Sequence, residues 1–128
     1  MHNESTATSD GAEKWEIQLR KGSLELAILA ALWASPLYGL EILRNLESRS
    51  ELVVVEGTIY PLLNRLRSLG LVSSEWVESD SGHPRKYYRL TEAGRQRALA
   101  MERIWTRFSA SMSSMLAPLH QETQEAKS

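Results

Sequence analysis

The segment Gly57–Gly94, GTIYPLLNRLRSLGLVSSEWVESDSGHPRKYYRLTEAG, leaves this 128-residue chain few folds to choose from. Ile59, Leu62, Leu63, Leu66 and Leu69 recur at helical spacing, so a helix opened by Gly57 and Thr58 carries one apolar stripe. Gly70 is placed to stop it. LVSSEWVE at 71–78 and RKYYRL at 85–90 read as two strands, with Asp80-Ser81-Gly82-His83-Pro84 as the turn between them. Thr91 then caps a new helix, with Glu92 well placed against its dipole. Helix, hairpin, helix is the order of a winged helix: one helix for a DNA groove, one hairpin tip for the phosphates beside it.

The flanking sequence completes that unit. Residues 1–14 are polar and read as a disordered tail, while WEIQLRK at 15–21 suits a short helical turn. Gly22-Ser23 is a start signal, with Ser23 as N-cap of a helix LELAILAALW. That run is apolar almost all round, so the helix is buried on most sides, and in a small domain a partner chain is one way to cover it. Ser35-Pro36 ends it. YGLEILRNLESRS forms an amphipathic second helix with Ile42, Leu43 and Leu46 on one face, opened by Tyr38 and Gly39 in structural roles. LVVV at 52–55 suits a short strand, and Pro61 near the first turn of the third helix costs little.

The last helix has a heptad-like seam. Met101, Phe108 and Met115 are spaced by seven, as are Trp105, Met112 and Leu119, and the seam runs to about Pro118. No later helix remains to cover it, so a second copy is the expected partner. Leu24, Ile28, Met101, Ile104, Trp105, Phe108, Met112 and Met115 are the expected homodimer interface. The chain thus reads as mainly α with a small β-hairpin: a tail at 1–14, a winged helix-turn-helix domain at 15–90, a long C-terminal dimerisation helix at 91–119 and a polar tail at 120–128.

Composition excludes more than it selects. There is no cysteine, only Asp10 and Asp80 are aspartates, and His2, His83 and His120 lie in a tail, a turn and the C-terminal end. Nucleophilic triads and metal clusters therefore lack their parts, so no enzyme, metal or cofactor is expected. No apolar run reaches a membrane span and the start lacks a secretory h-region, so the expected location is cytoplasmic. The formal net charge is −1, so affinity for nucleic acid must come from local charge.

Local charge is suitably placed. No acid occurs between Gly57 and Glu75, and the leucine stripe turns Thr58, Tyr60, Pro61, Asn64 and Arg65 outward, with Arg67 and Ser68. Thr58 and Tyr60 can donate to phosphates, Asn64 can pair with adenine, and Arg65 can reach guanine or a phosphate. His83, Arg85 and Lys86 crowd the hairpin tip, although such clusters are commonly just solvated hairpin ends. Across 85–107, Arg85, Lys86, Arg89, Arg95, Arg97, Arg103 and Arg107 face only Glu92 and Glu102, which suggests one basic side. Tyr87 and Tyr88 alternate across the strand, so one faces the core. The reading is a sequence-specific binder of double-stranded DNA on a pseudo-palindromic site; the alternative is a winged helix used only for protein contacts.

With KGSLELAILAAL at 21–32, PLYGLEIL at 36–43, GTIYPLLNRLRSLGLV at 57–72 and GHPRKYYRLTEAGR at 82–95, the chain resembles the PadR family of bacterial transcriptional regulators. It is similar to the compact branch with a single short C-terminal helix. The resemblance implies a dimeric winged-helix repressor, often released from DNA by a small aromatic or drug-like ligand. It places Thr58, Tyr60 and Pro61 at the DNA-facing start of the recognition helix and makes Tyr88 structural. It also implies an effector pocket between subunits at Trp105, with Met101, Phe108, Trp15 and Trp33 as candidate companions. Ile104 and Thr106 beside Trp105 depart from the drug-sensing branch, so the ligand does not carry over.

Overall fold

A computed structural model describes the backbone of residues 2–127 and the side chains of 11–121. The order is α1 (His2–Ala31), β1 (Leu37–Tyr38), α2 (Gly39–Arg49), α3 (Glu56–Ser68), β2 (Val72–Val77), β3 (Arg85–Leu90) and α4 (Glu92–Lys127). The three strands form one antiparallel sheet in the order β1-β3-β2.

The apolar half of α1 is covered by the chain itself. Leu24, Ile28, Leu29 and Leu32 are buried together with Ile42 and Leu46 of α2, Ile59, Leu63 and Leu66 of α3, and Ala98 of α4. This corrects part of the expected dimer interface: Leu24 is 5% exposed and Ile28 0%, both inside the chain's own core. Burying a Leu or Ile side chain is worth about 1.5–3 kcal/mol, so neither leaves the core for a partner. Ile59, Leu63 and Leu66 confirm the stripe on α3, but Leu62 is half-buried and Leu69 is exposed. Leu69 is the C-cap, where the helix has already ended.

Several expected boundaries shift. Gly22 and Ser23 lie inside α1, not at its start, and the Ser23 hydroxyl donates to the Leu19 carbonyl at 2.9 Å. A serine that bonds back into its own helix does not cap a new one. Helix also runs through both stretches expected as tails, from His2 and to Lys127. Ala12, Glu13 and Lys14 are strong helix formers, and extending an existing helix is far easier than nucleating one. Pro118 lies within α4 and Pro61 within α3, beyond the first turn that begins at Glu56. Each forgoes one backbone bond without ending its helix.

LVVV at 52–55 is not a strand. It alternates in burial as a strand does, with Leu52 and Val54 packed on the core and Val53 and Val55 exposed, but it has no ladder partner. The third strand is instead Leu37–Tyr38, paired with Tyr88 and Tyr87 of β3. The expected hairpin is present, with Val72 opposite Leu90 and Val77 opposite Arg85.

The junctions around the hairpin are built by its flanking residues. Gly70 adopts φ +76 and donates to the Arg67 carbonyl at 3.0 Å, while Leu71 donates to the Leu66 carbonyl at 3.0 Å. This pair of bonds closes α3, and the left-handed residue between them suits glycine. Thr91 ties the far end back: its hydroxyl donates to the Gly70 carbonyl at 2.6 Å and accepts from the Gly94 N–H at 3.0 Å. The hairpin is thereby fixed to the end of α3 and the start of α4 at once. Arg97 on α4 also pairs with Glu25 on α1 at 3.5 Å.

Candidate nucleic-acid interface

The sheet face toward α3 follows from register. Ser74 pairs with Tyr88 and Trp76 with Lys86, so these four share one side of the sheet. Tyr88, 2% exposed, anchors that side in the core, and Arg67 on α3 donates to the Ser74 hydroxyl at 3.5 Å. Beyond this anchor, α3 and the hairpin diverge and leave a cleft of about 510 Å³. Tyr60 and Asn64 line it from α3, Trp76, Arg85, Lys86 and Tyr88 from the hairpin, Tyr38 from β1, and Gly39 and Leu40 from the start of α2. No carboxylate is among its lining residues.

Tyr60 has a double role. Its half-buried ring fills the space where a Cβ on Gly39 would stand, so only glycine lets α2 approach α3 this closely. Burial, and then the negative charge of Glu56, push its phenol above the ordinary 10.0. The Tyr88 phenol is also raised, chiefly by burial and next by Tyr60, with Arg67 opposing. Both hydroxyls therefore stay protonated at neutral pH and can donate.

The hairpin cations are held by aromatic rings. The Arg85 guanidinium lies 4.6 Å from the Tyr38 ring centre, and Tyr38 meets Tyr87 edge-on at 5.5 Å. Lys86 sits 5.9 Å from the Trp76 ring centre and 5.8 Å from that of Tyr88. Such contacts orient the cations without neutralising them. His83 is exposed in the turn, where its carbonyl accepts from Ser79 at 2.6 Å.

The other expected contact residues of α3 lie on its opposite flank. Thr58, Pro61 and Arg65 are exposed and border a second groove with Lys21 and Glu25 of α1. Tyr60 and Asn64 thus face the hairpin while Thr58, Pro61 and Arg65 face α1. The basic run across 85–107 does not form one side. Arg89 is tied to Glu75 at 2.8 Å, Arg97 to Glu25, and Arg95 stacks 4.8 Å from the Trp33 ring centre. Trp76 also lines the cleft, although the residue pattern alone does not single it out. Its signal was its position opposite Lys86 in the hairpin, on the side that register assigns to α3.

The expected effector residues are partly gathered. Met101, Trp105 and Phe108 line an apolar groove of about 390 Å³ between α4 and α1, with Ile104, Leu19 and Leu26. Trp15 is exposed one turn before Leu19 and outside this lining. Trp33, at the far end of α1 against Arg95, is also separate from it. Met112 and Met115 continue the exposed stripe along α4. Met101 lies on both the apolar groove and the one beside Arg65.

Among the described residues, no group of three or more His, Cys, Asp or Glu is arranged to hold a metal ion, and no helix is long and apolar enough to cross a membrane.

Residues 28–100 match the family model of the transcriptional regulator PadR-like family. The chain is similar to the solved structure of a PadR-like transcription factor from Bacteroides fragilis, at 41% identity and a TM-score of 0.66, covering 80% of this chain and 98% of that one. It is also similar to a PadR family transcriptional regulator from Eggerthella lenta, at 32% identity and a TM-score of 0.78, covering 87% and 96%. A curated relative from Lysinibacillus sphaericus, an uncharacterised protein, is 26% identical over 87 residues, 66% of this chain and 80% of that protein. With the winged-helix order and the helix–hairpin cleft, these matches establish that the chain belongs to the PadR-like family of transcriptional regulators.

Proposed function

We propose that this regulator is a cytoplasmic repressor that binds double-stranded DNA as a homodimer and is released by a small aromatic or drug-like ligand. One observation carries the DNA reading: Tyr60 and Asn64 of α3 face Arg85 and Lys86 of the hairpin across a cleft lined without a carboxylate. In this reading α3 enters the major groove, where Asn64 reads a base edge, while the hairpin straddles the neighbouring phosphates. Thr58, Pro61 and Arg65 meet the flanking backbone from the α1 side, and His83 extends the hairpin contact.

Two copies join through the exposed stripe of α4. Ile104, Trp105, Phe108, Met112 and Met115 would then be covered, with Met101 at its inner edge. Large exposed apolar patches mark association surfaces. A two-fold dimer places two recognition helices on half-sites about one helical turn, near 10 bp, apart. The groove at Trp105 and Phe108 lies beside that joint and suits a flat apolar ligand, with Met101 able to adapt its shape. A ligand there would change the spacing of the recognition helices, which is the means of release.

The test is anisotropy with labelled duplex from upstream of the protein's own gene, followed by footprinting and a screen of planar aromatic compounds. The expected result is two protected half-sites related by a dyad, and at least one compound that releases the DNA. A chain that binds no duplex but captures a protein partner would favour a protein-interaction winged helix. A single asymmetric footprint would overturn the dimeric reader.

A further inference from the structure

Trp76 is 69% exposed, yet it stands on the side of the sheet that faces α3. The packing reason for that side ends one step earlier, at the Ser74–Tyr88 pair. Trp76 and its partner Lys86 overhang the cleft beyond the core, with Lys86 drawn toward the indole. The nearest acid in the strand, Glu75, points to the other side and is tied there by Arg89. An apolar ring is therefore presented beside the Lys86 ammonium, at a cleft that Arg85 also lines and whose lining includes no carboxylate. That is the chemistry of a surface for a sugar–phosphate strand: cations for the phosphates and a flat apolar face for the sugar. Tryptophan combines a large contact area with an N–H donor and is favoured where surfaces meet.

We infer that Trp76 is a DNA-contacting residue, its indole packing against the deoxyribose–phosphate strand that runs between α3 and the hairpin while Lys86 and Arg85 hold the adjoining phosphates. The inference rests on the DNA-binding reading above and extends it to an uncharged residue. Its contribution is separable from that of the cations, because removing an indole releases no counterion and leaves the salt dependence unchanged.

The experiment compares the parent chain, Trp76→Ala and Trp76→Phe on labelled duplex from upstream of the protein's own gene, across a range of salt. Thermal unfolding is followed in parallel. Trp76→Ala is expected to bind about tenfold more weakly with the parent's salt slope and melting temperature, and Trp76→Phe to recover most of the loss. The emission difference between the parent and Trp76→Phe isolates this indole, which saturating duplex should shield from acrylamide. Affinity within twofold of the parent for Trp76→Ala, or equal quenching with and without duplex, overturns the inference and leaves the DNA reading standing. A parent chain that binds no duplex overturns both.

Discussion

The cleft between α3 and the hairpin and the groove between α4 and α1 differ in how far one chain completes them. The cleft draws most of its lining from residues 60–88, a stretch bonded at Gly70 and Leu71, to which Thr91 just beyond it ties back. Its polar groups already have orienting neighbours, such as Tyr38 under Arg85 and Gly39 behind Tyr60. The groove joins residues 18–26 to 101–108, and its apolar lining continues into an exposed stripe on α4. A polar surface can stand finished in water, because water satisfies it. An apolar one of this extent is stable only against something else. In the proposed reading, recognition is thus built into the single chain, and control is left to what the chain meets.

The strongest way to break this contrast is to charge the groove side. Phe108→Glu places a carboxylate in the middle of the exposed α4 stripe, far from the cleft. We expect sedimentation to give a monomer, and affinity for a two-half-site duplex to fall on the order of 100-fold as avidity is lost. Affinity for an isolated half-site should be unchanged. A Phe108→Glu chain that still sediments as a dimer would place the joint elsewhere.

On the cleft side the expected effects are smaller and local. Asn64→Ala or Tyr60→Ala should weaken specific binding by roughly 1–3 kcal/mol, read as the affinity difference between operator and random duplex. Tyr60→Ala also opens the space against Gly39, so it should lower the melting temperature, whereas exposed Asn64 should not. Full specificity in both variants would move base reading to the Thr58–Arg65 flank. Arg85→Ala with Lys86→Ala should affect all duplexes alike and reduce the salt slope by about two. An unaltered slope would mean that the hairpin does not reach the phosphates.

What the sequence disclosed follows the same division. The α3 stripe, the two hairpin strands, Gly70 and Thr91 were legible, because each rests on spacing or a cap within a few residues. β1 was not, since Leu37–Tyr38 has only two residues and becomes a strand through β3, some 50 positions away. LVVV had the strand pattern without a partner. Leu24 and Ile28 are expected at a dimer because a run that is apolar almost all round shows that a helix is buried, and not by what. The Ser23 start failed for a related reason: the same residue suits an N-cap and a bond back to Leu19. Within the site, residue type separated Asn64 and the hairpin cations from the core. The split of α3 into a Tyr60 flank and an Arg65 flank needed the neighbouring helices in place, and so did the loss of Arg89 to Glu75.

The smallest expected effect distinguishes the two regions by pH. The cleft contains two phenols whose folded pKa lies above the ordinary 10.0, and the groove is lined by Trp105, Phe108, Met101 and Ile104, which do not titrate. A raised pKa means that the folded chain holds those protons more tightly than the unfolded chain. The associated stability is therefore fully present below pH 10 and is lost as pH rises through the folded values. Urea midpoints should be level between about pH 7 and 9 and fall above about pH 10. Tyr60→Phe should flatten part of that fall, because it removes a proton that burial and Glu56 together retain. Glu56→Gln should ease the shift without abolishing it, since burial is the larger cause. Trp105→Phe should leave the alkaline limb unchanged in shape. A limb that flattens in Trp105→Phe and persists in Tyr60→Phe would mean that the region controlling alkaline stability is the groove and not the cleft.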